Sequence, residues 1–486
     1  IMRVKVPGDT DLNHYFEIMN NRGEQLEKHE VLKSRLMETL DRNCPEEERA
    51  ANRQCIHEVW EACADMERYV QMGFKPEQRN AVFGRRDWGG FLPVDFDSLR
   101  DLLGVGDGNR GVASENLNMD EIIDRPTAGP RSDKGNESAP ERFNTVINFP
   151  NFLLHVLRVM TGENIPLDDK RLIPEFETNV LKAEDPGAAV KRFVFSMLRC
   201  KYLIDQYVLK REFVGGKDRW SLKRCKWRDA KSGEGSASYV NAFGNEGEEE
   251  ADDGINRRIL MLLSAFHVST PTMNYKYWLN AALNHLYQKV EIEEVIKAEV
   301  YLEYLESVAR AFVFDRFLCE GEGADYYEMI HKRGGCSQTD PGTLNPDHAN
   351  PQLSFGKIEN NFVFNYLDYL LWLDHREHNP SIRHWEFTFR SSVEHFYPQT
   401  PMDGWPALPI EHLHCFGNLC LVSHSKNSRL SNFTPKAKKD LYPNGTFDSI
   451  KQRLMMNEED WNSESILRHQ KQMLSCLKSC NNRSDS

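Results

Sequence analysis

The sequence predicts a mostly α-helical, multidomain protein that closes in a small module of mixed strands and helices. Three observations predict it: a length of 486 residues, apolar residues returning at helical spacing through most of the chain, and a change of texture from Trp385, where WEFTF and VEHFY alternate aromatic with polar residues. At roughly 100–200 residues per domain, this length holds two to four units. With 40% hydrophobic and 28% charged residues, the chain can bury cores and is not disordered as a whole.

The elements follow in order. Leu12, Phe16 and Met19 recur at helical spacing, and Leu32, Leu36 and Leu40 do so again after a break at Asn20-Asn21-Arg22-Gly23, which reads as helix, turn, helix. Helical pattern continues to about Leu103. Residues 104–141 are rich in Gly, Asn, Ser, Asp and Pro without apolar periodicity, and read as a flexible linker. Helical spacing returns from 143 to about 227, as in Phe152, Leu153, Val156 and Val159, and again from 255 to 373. Between these stretches, residues 229–254 carry Gly and Ser and then an acidic run over 246–253, the pattern of a disordered insertion. The domains expected are therefore a helical unit at 1–103, the linker at 104–141, a helical middle domain at 142–375 with its insertion, and a final module at 376–486. Because the chain opens on Ile1, it reads as a fragment.

Composition excludes some classes. The longest apolar stretches are broken by His, Arg or Asp and fall short of the roughly 18–20 residues that span a bilayer, so no membrane partner is expected. Eleven cysteines without a Cys-x-x-Cys pair fit neither a zinc ribbon nor a secreted disulfide framework, and point to a reducing cytoplasm. A formal charge of -13 argues against indiscriminate coating of nucleic acid. Against that trend, the stretch 426–439 carries Lys426, Arg429, Lys436, Lys438 and Lys439 with no acidic residue, a candidate phosphate-facing surface.

Chemistry concentrates beside that stretch. Glu394 and His395 end an expected strand that Pro398 stops; Asn418 follows 23 positions after the histidine, and Asn427 follows 9 after that. Cutting a phosphodiester needs an activated water and a bearer of negative charge, which an imidazole and one hard cation can supply. His395 would take the water's proton. Mg²⁺ or Mn²⁺ prefers oxygen, so the Glu394 carboxylate and the Asn427 amide oxygen suit it, with water and phosphate completing the shell. Neighbours on a strand face opposite ways, so a bend or bulge is expected to bring Glu394 and His395 to one ion. Asn418, opening the returning strand, would bond across the loop and hold the His395 backbone.

The segment SVEHFYPQ, with Gly417-Asn418-Leu419, Asn427-Ser428, Ser431-Asn432 and the lysines from 436 to 439, resembles the HNH endonuclease domain that closes GmrSD-type, modification-dependent (type IV) restriction enzymes. The resemblance covers roughly the last hundred residues, and the spacing from Asn418 to Asn427 is similar to that in the HNH domains of RNA-guided DNA nucleases. It implies a ββα-metal (His-Me finger) module that cuts DNA, modified or not, in a restriction or defence system, leaving a 5′-phosphate and a 3′-hydroxyl. Near the start, Asn20, Gly23 and Leu26, followed by Glu30 and Lys33, resemble the later part of the family's ParB-like nucleotide-hydrolysing domain. That implies an NTP in a full-length protein. The family's Asp-Gly-Gln-Gln-Arg motif, however, occurs nowhere in these 486 residues.

Other features read as structure. Glu411-His412, with His414 and Cys415, lies too close to Asn418 to form the first strand of the finger and reads as loop. Asp374, His375, His378 and His384 lack a second half with metal-ligand spacing. The Gly104-to-Gly108 run leads into a loop rather than a helix. Two rival functions stand beside the nuclease, a non-catalytic DNA-binding or regulatory protein and an RNA-directed nuclease of the same chemistry. A homo-oligomer is compatible with all three.

Overall fold

The computed structural model describes residues 27–104, 142–228, 235–244, 254–289, 296–346, 350–402, 404–430 and 432–479. Asn20 and Gly23, most of the expected linker, the acidic run and Ser431 lie outside them. The described chain is mostly helical. Helix α1 (Lys28–Arg42) buries Leu32, Leu36 and Leu40, one per turn, and α2 (Glu46–Ala64) buries Cys55, Ile56, Val59 and Trp60 against it. Strand β1 (Phe143–Asn144) and helix α3 (Phe149–Thr161) follow, the helix capped by the Asn148 side chain on Asn151 N–H.

Helix α4 (Pro186–Tyr207) is apolar on nearly every side because it sits in the middle, packed on α1, α2 and α3. Its buried charges are paired. Asp205 accepts from Lys201 at 2.7 Å, from Lys210 at 2.5 Å and from the backbone N–H of Val70 at 2.7 Å, which ties the segment before residue 104 to the middle of the chain. The two segments share one hydrophobic core.

Residues 210–241 correct the helical expectation for the end of that stretch. Strands β2 (Lys210–Val214) and β3 (Lys217–Ser221) form a hairpin to which β1 adds, and β4 (Lys223–Arg228) pairs with β5 (Ser236–Asn241). Gly215 and Gly216, at φ +60° and +75°, make a two-residue turn whose positive φ angles glycine adopts without strain. Strand β5 also corrects the reading of 229–254 as an unfolded insertion, since residues 236–241 are laddered to β4.

Helices α5 (Ile255–Ser269), α6 (Tyr277–Lys289) and α7 (Ala298–Arg310) continue the bundle, and α6 reaches α3 and α4. Helix α8 (Phe362–His375) is again apolar all round, because it lies between α5 and two C-terminal helices, α12 (Ile450–Asn457) and α13 (Ser463–Lys478). Buried Asp368 on α8 accepts from Arg390 at 3.1 Å and from Lys451 N–H at 2.9 Å. The strand expected over WEFTF is not formed. The carbonyls of Trp385 and Phe387 are taken instead by the side chains of Arg257 and Trp220.

Burial sets a pH dependence for the body. His155 is pushed down to about 3 by burial, with Arg158 and Lys276 adding to it, and neither ring nitrogen has a hydrogen-bond partner. His267 is pushed down to about 3 by burial, Lys276 and Arg211. Both are neutral when folded, whereas the unfolded chain protonates them near pH 6.5. Their contribution is complete above that value and drains away as pH falls toward 3. Each should lose roughly 2 kcal/mol between pH 7 and 5. Urea unfolding at the two pH values should show the drop, smaller in His155→Gln; an unchanged midpoint would count against neutral burial.

Candidate active site

The C-terminal hairpin pairs β6 (Ser392–His395) with β7 (Leu419–Val422) in a regular antiparallel ladder, Glu394 opposite Cys420 and His395 opposite Leu419. A short helix, α9 (Ile410–Leu413), interrupts the long connection. After β7 comes α10 (His424–Leu430), which packs on β6, and then α11 (Pro435–Asp440), capped by Thr434. Strand alternation splits β7 between two cores. Leu419 and Leu421 join the large one, while Cys420 and Val422 join a smaller cluster with Phe396, Tyr397, Leu430 and Trp461.

The connection is closed by Asn418, which is 0% exposed. Its Oδ1 accepts from Tyr397 N–H at 2.8 Å and Trp461 Nε1–H at 3.0 Å; its Nδ2 donates to the carbonyls of Tyr397 at 3.1 Å and Leu413 at 2.9 Å. Every polar valence of the amide is used. The preceding glycine is required by close approach, since a Cβ on Gly417 would stand 2.3 Å from the Ile466 carbonyl oxygen of α13.

His395 is buried. Its Nε2 lies 3.0 Å from His414 Nδ1, and the Phe355 ring covers both imidazoles, at 4.3 and 5.6 Å between centroids. Burial pushes His395 down to about 4, with His414 and Lys438 adding to it, so the ring is neutral at neutral pH. Among the described residues, Nδ1 has no hydrogen-bond partner. His414 is the residue that sequence reasoning passed over, because its neighbours Glu411 and His412 read as loop. His412 does serve the loop, meeting Ser463 Oγ at 3.0 Å.

Glu394 corrects an expectation. All four residues of β6 are paired without a bulge, so its carboxylate leaves the strand on the face opposite the imidazole. What links the two is Lys438, whose ammonium binds the Glu394 carboxylate and donates to the His395 carbonyl at 2.6 Å. Burial raises the Glu394 pKa and Lys438 opposes that rise. Lys438, with a side chain 1% exposed, is thereby corrected as a phosphate contact.

The remaining basic residues divide. Lys426 is held by Asp448 at 2.8 Å and lies over the Tyr442 ring, and Lys439 donates to the Glu458 carbonyl. Arg429 and Lys436 are exposed and have no partner among the described residues. Far from this site, Lys33 is paired with Glu61 at 2.5 Å.

Asn427 is half-buried on α10, and its side chain makes no recorded bond. Among the described residues, no group of three or more His, Cys, Asp or Glu is placed to hold a metal. With the Glu394 carboxylate taken by Lys438, the Asn427 amide oxygen is the donor left open; the two are oxygen donors of the kind a hard divalent ion with most of its waters takes, and do not fit a closed zinc site. No helix among the described residues is long and apolar enough to cross a membrane.

Residues 352–476 match the family described as GmrSD restriction endonucleases, C-terminal domain. The match begins inside the segment expected to belong to the helical middle, and it takes in Phe355, which covers the histidine pair. No curated protein matches the chain.

Proposed function

We propose, from the premise that residues 352–476 belong to the GmrSD restriction endonuclease C-terminal domain family, that this chain is a metal-dependent HNH endonuclease of a modification-dependent restriction or defence system. The observation that carries the reading is a β hairpin followed by a helix, with a neutral, buried histidine at the end of its first strand.

In this reading His395 is the general base. Its Nε2–H donates to His414 Nδ1, which fixes the tautomer and leaves the Nδ1 lone pair for the proton of the attacking water. His414 is then a positioning residue, and Asn418 holds the backbone two residues beyond the base. Asn427 would hold Mg²⁺ or Mn²⁺, and Glu394 would join it only where the ion displaces Lys438 from its carboxylate; the ion would stabilise charge on the phosphorane and the departing 3′ oxygen. Lys438 neutralises Glu394 and fixes the strand end. Arg429 and Lys436 are the cations available to DNA phosphates.

Supercoiled plasmid incubated with the protein and Mg²⁺ or Mn²⁺ should convert to nicked or linear DNA carrying 5′-phosphates, and excess EDTA should stop conversion. Cutting that persists in EDTA would overturn the metal requirement. DNA binding without cutting would favour a regulatory protein, and RNA outcompeting DNA would favour an RNA-directed enzyme.

A further inference from the structure

Beside the hairpin lies a cleft of about 240 Å³ whose walls include Tyr397, Trp405 and Trp461. We infer that it receives one unpaired nucleobase of the strand being cut. The inference rests on the nuclease reading above and names a substrate feature for the same site.

The cleft is built on the amide that closes the hairpin. Asn418 Oδ1 accepts both from the backbone of Tyr397 and from the indole of Trp461, so one side chain ties two walls of the cleft to the end of β6. Tyr397 stands two residues from His395. In this proposal a base held there flanks the phosphate the imidazole would address.

Size and shape narrow the occupant. Pockets for drug-sized ligands run from about 300 to 1,000 Å³, so this one suits a single flat ring system rather than a larger molecule. The Trp405 ring is 46% exposed, and it meets Tyr397 at a centroid distance of 6.4 Å and an angle of 58°. Tyr397 is 2% exposed, so the half-exposed Trp405 ring supplies the face on which a planar base can stack. Trp461, 5% exposed, forms a wall held by its indole N–H on Asn418.

Charge narrows it further. Lys436 lines the cleft, exposed and without a partner among the described residues, and is placed for the phosphate beside the base. Glu459 and Asp460 also line it. Their carboxylates repel a second phosphate but accept hydrogen bonds from an exocyclic amino group, as acidic side chains do from cytosine N4. An exposed aromatic face, the lysines Lys436 and Lys439 and acidic acceptors are what a base with its own flanking phosphate requires. Extrusion costs least where the base is already unpaired, mismatched or damaged, so such sites should be preferred.

The test uses the full chain carrying His395→Ala in EDTA, with single-stranded oligonucleotides bearing 2-aminopurine at successive positions. Fluorescence should be quenched at one position, and Trp405→Ala should abolish the quench while Trp405→Phe keeps it. Affinity should fall roughly ten- to hundred-fold in Trp405→Ala, the range one base stack is worth. An abasic residue at the quenched position should cost the same. Because Trp405 is half exposed, the melting temperature of the variant should not move. Unquenched probe at every position, with plasmid still nicked by the unmutated protein, overturns the cleft and leaves the nuclease standing. If DNA is neither bound nor cut, both fall.

Discussion

Replacing His395 by Ala should lower plasmid cutting by roughly 10²–10⁴-fold, the usual worth of a positioned general base, while affinity for DNA stays close to that of the unmutated protein. The ring is 3% exposed and makes its one recorded side-chain hydrogen bond to His414, so it is not among the groups that hold phosphate. Gel-shift titration beside a nicking assay reads both quantities. His414→Ala should fall between the two, because the base remains while its tautomer is released. Cutting that survives His395→Ala unchanged would remove this residue from the mechanism, and loss of DNA binding in step with cutting would make its role structural.

The second large effect is on stability. Lys438→Met should destabilise the protein by roughly 3–5 kcal/mol, because it strands a buried carboxylate at Glu394 and leaves the His395 carbonyl without its donor. The double variant Glu394→Gln with Lys438→Met should recover most of that loss, since the uncompensated charge is gone, yet should remain inactive for want of the carboxylate. Urea unfolding of the two variants measures the difference. If the single and double variants unfold alike, the pair carries little of the module's stability.

The position of the hairpin was legible because its residues come in a fixed order: Glu394-His395 before a proline, then Gly417-Asn418-Leu419 opening a run of four apolar residues. The fate of Lys438 was not. A lysine in a basic run normally faces water, and only the folding of α11 under β6 brings it to a carboxylate 44 positions away. The contact between His395 and His414 was hidden for the same reason, because the course of the long connection decides it. Asn418 shows the converse. An amide after a glycine at the mouth of a strand signals a bond across the loop, and three such bonds are made, with a fourth from Trp461.

In the body, Leu32, Leu36 and Leu40 announced α1 by period alone. The strands from 210 to 228 carried a signal that helical counting passed over, the Gly215-Gly216 pair between alternating residues. WEFTF failed in the other direction. Alternation describes which side chains are buried, but a ladder also needs a neighbouring backbone, and here side chains of Arg257 and Trp220 occupy the carbonyls.

Strand β7 has a consequence for how the protein is assembled. Because its odd-numbered residues belong to the helical body and its even-numbered ones to the small cluster, it is a party wall rather than the edge of an appendage. The C-terminal module therefore does not swing on a tether. Cut away from the body, it would carry Leu419 and Leu421 as uncovered hydrocarbon.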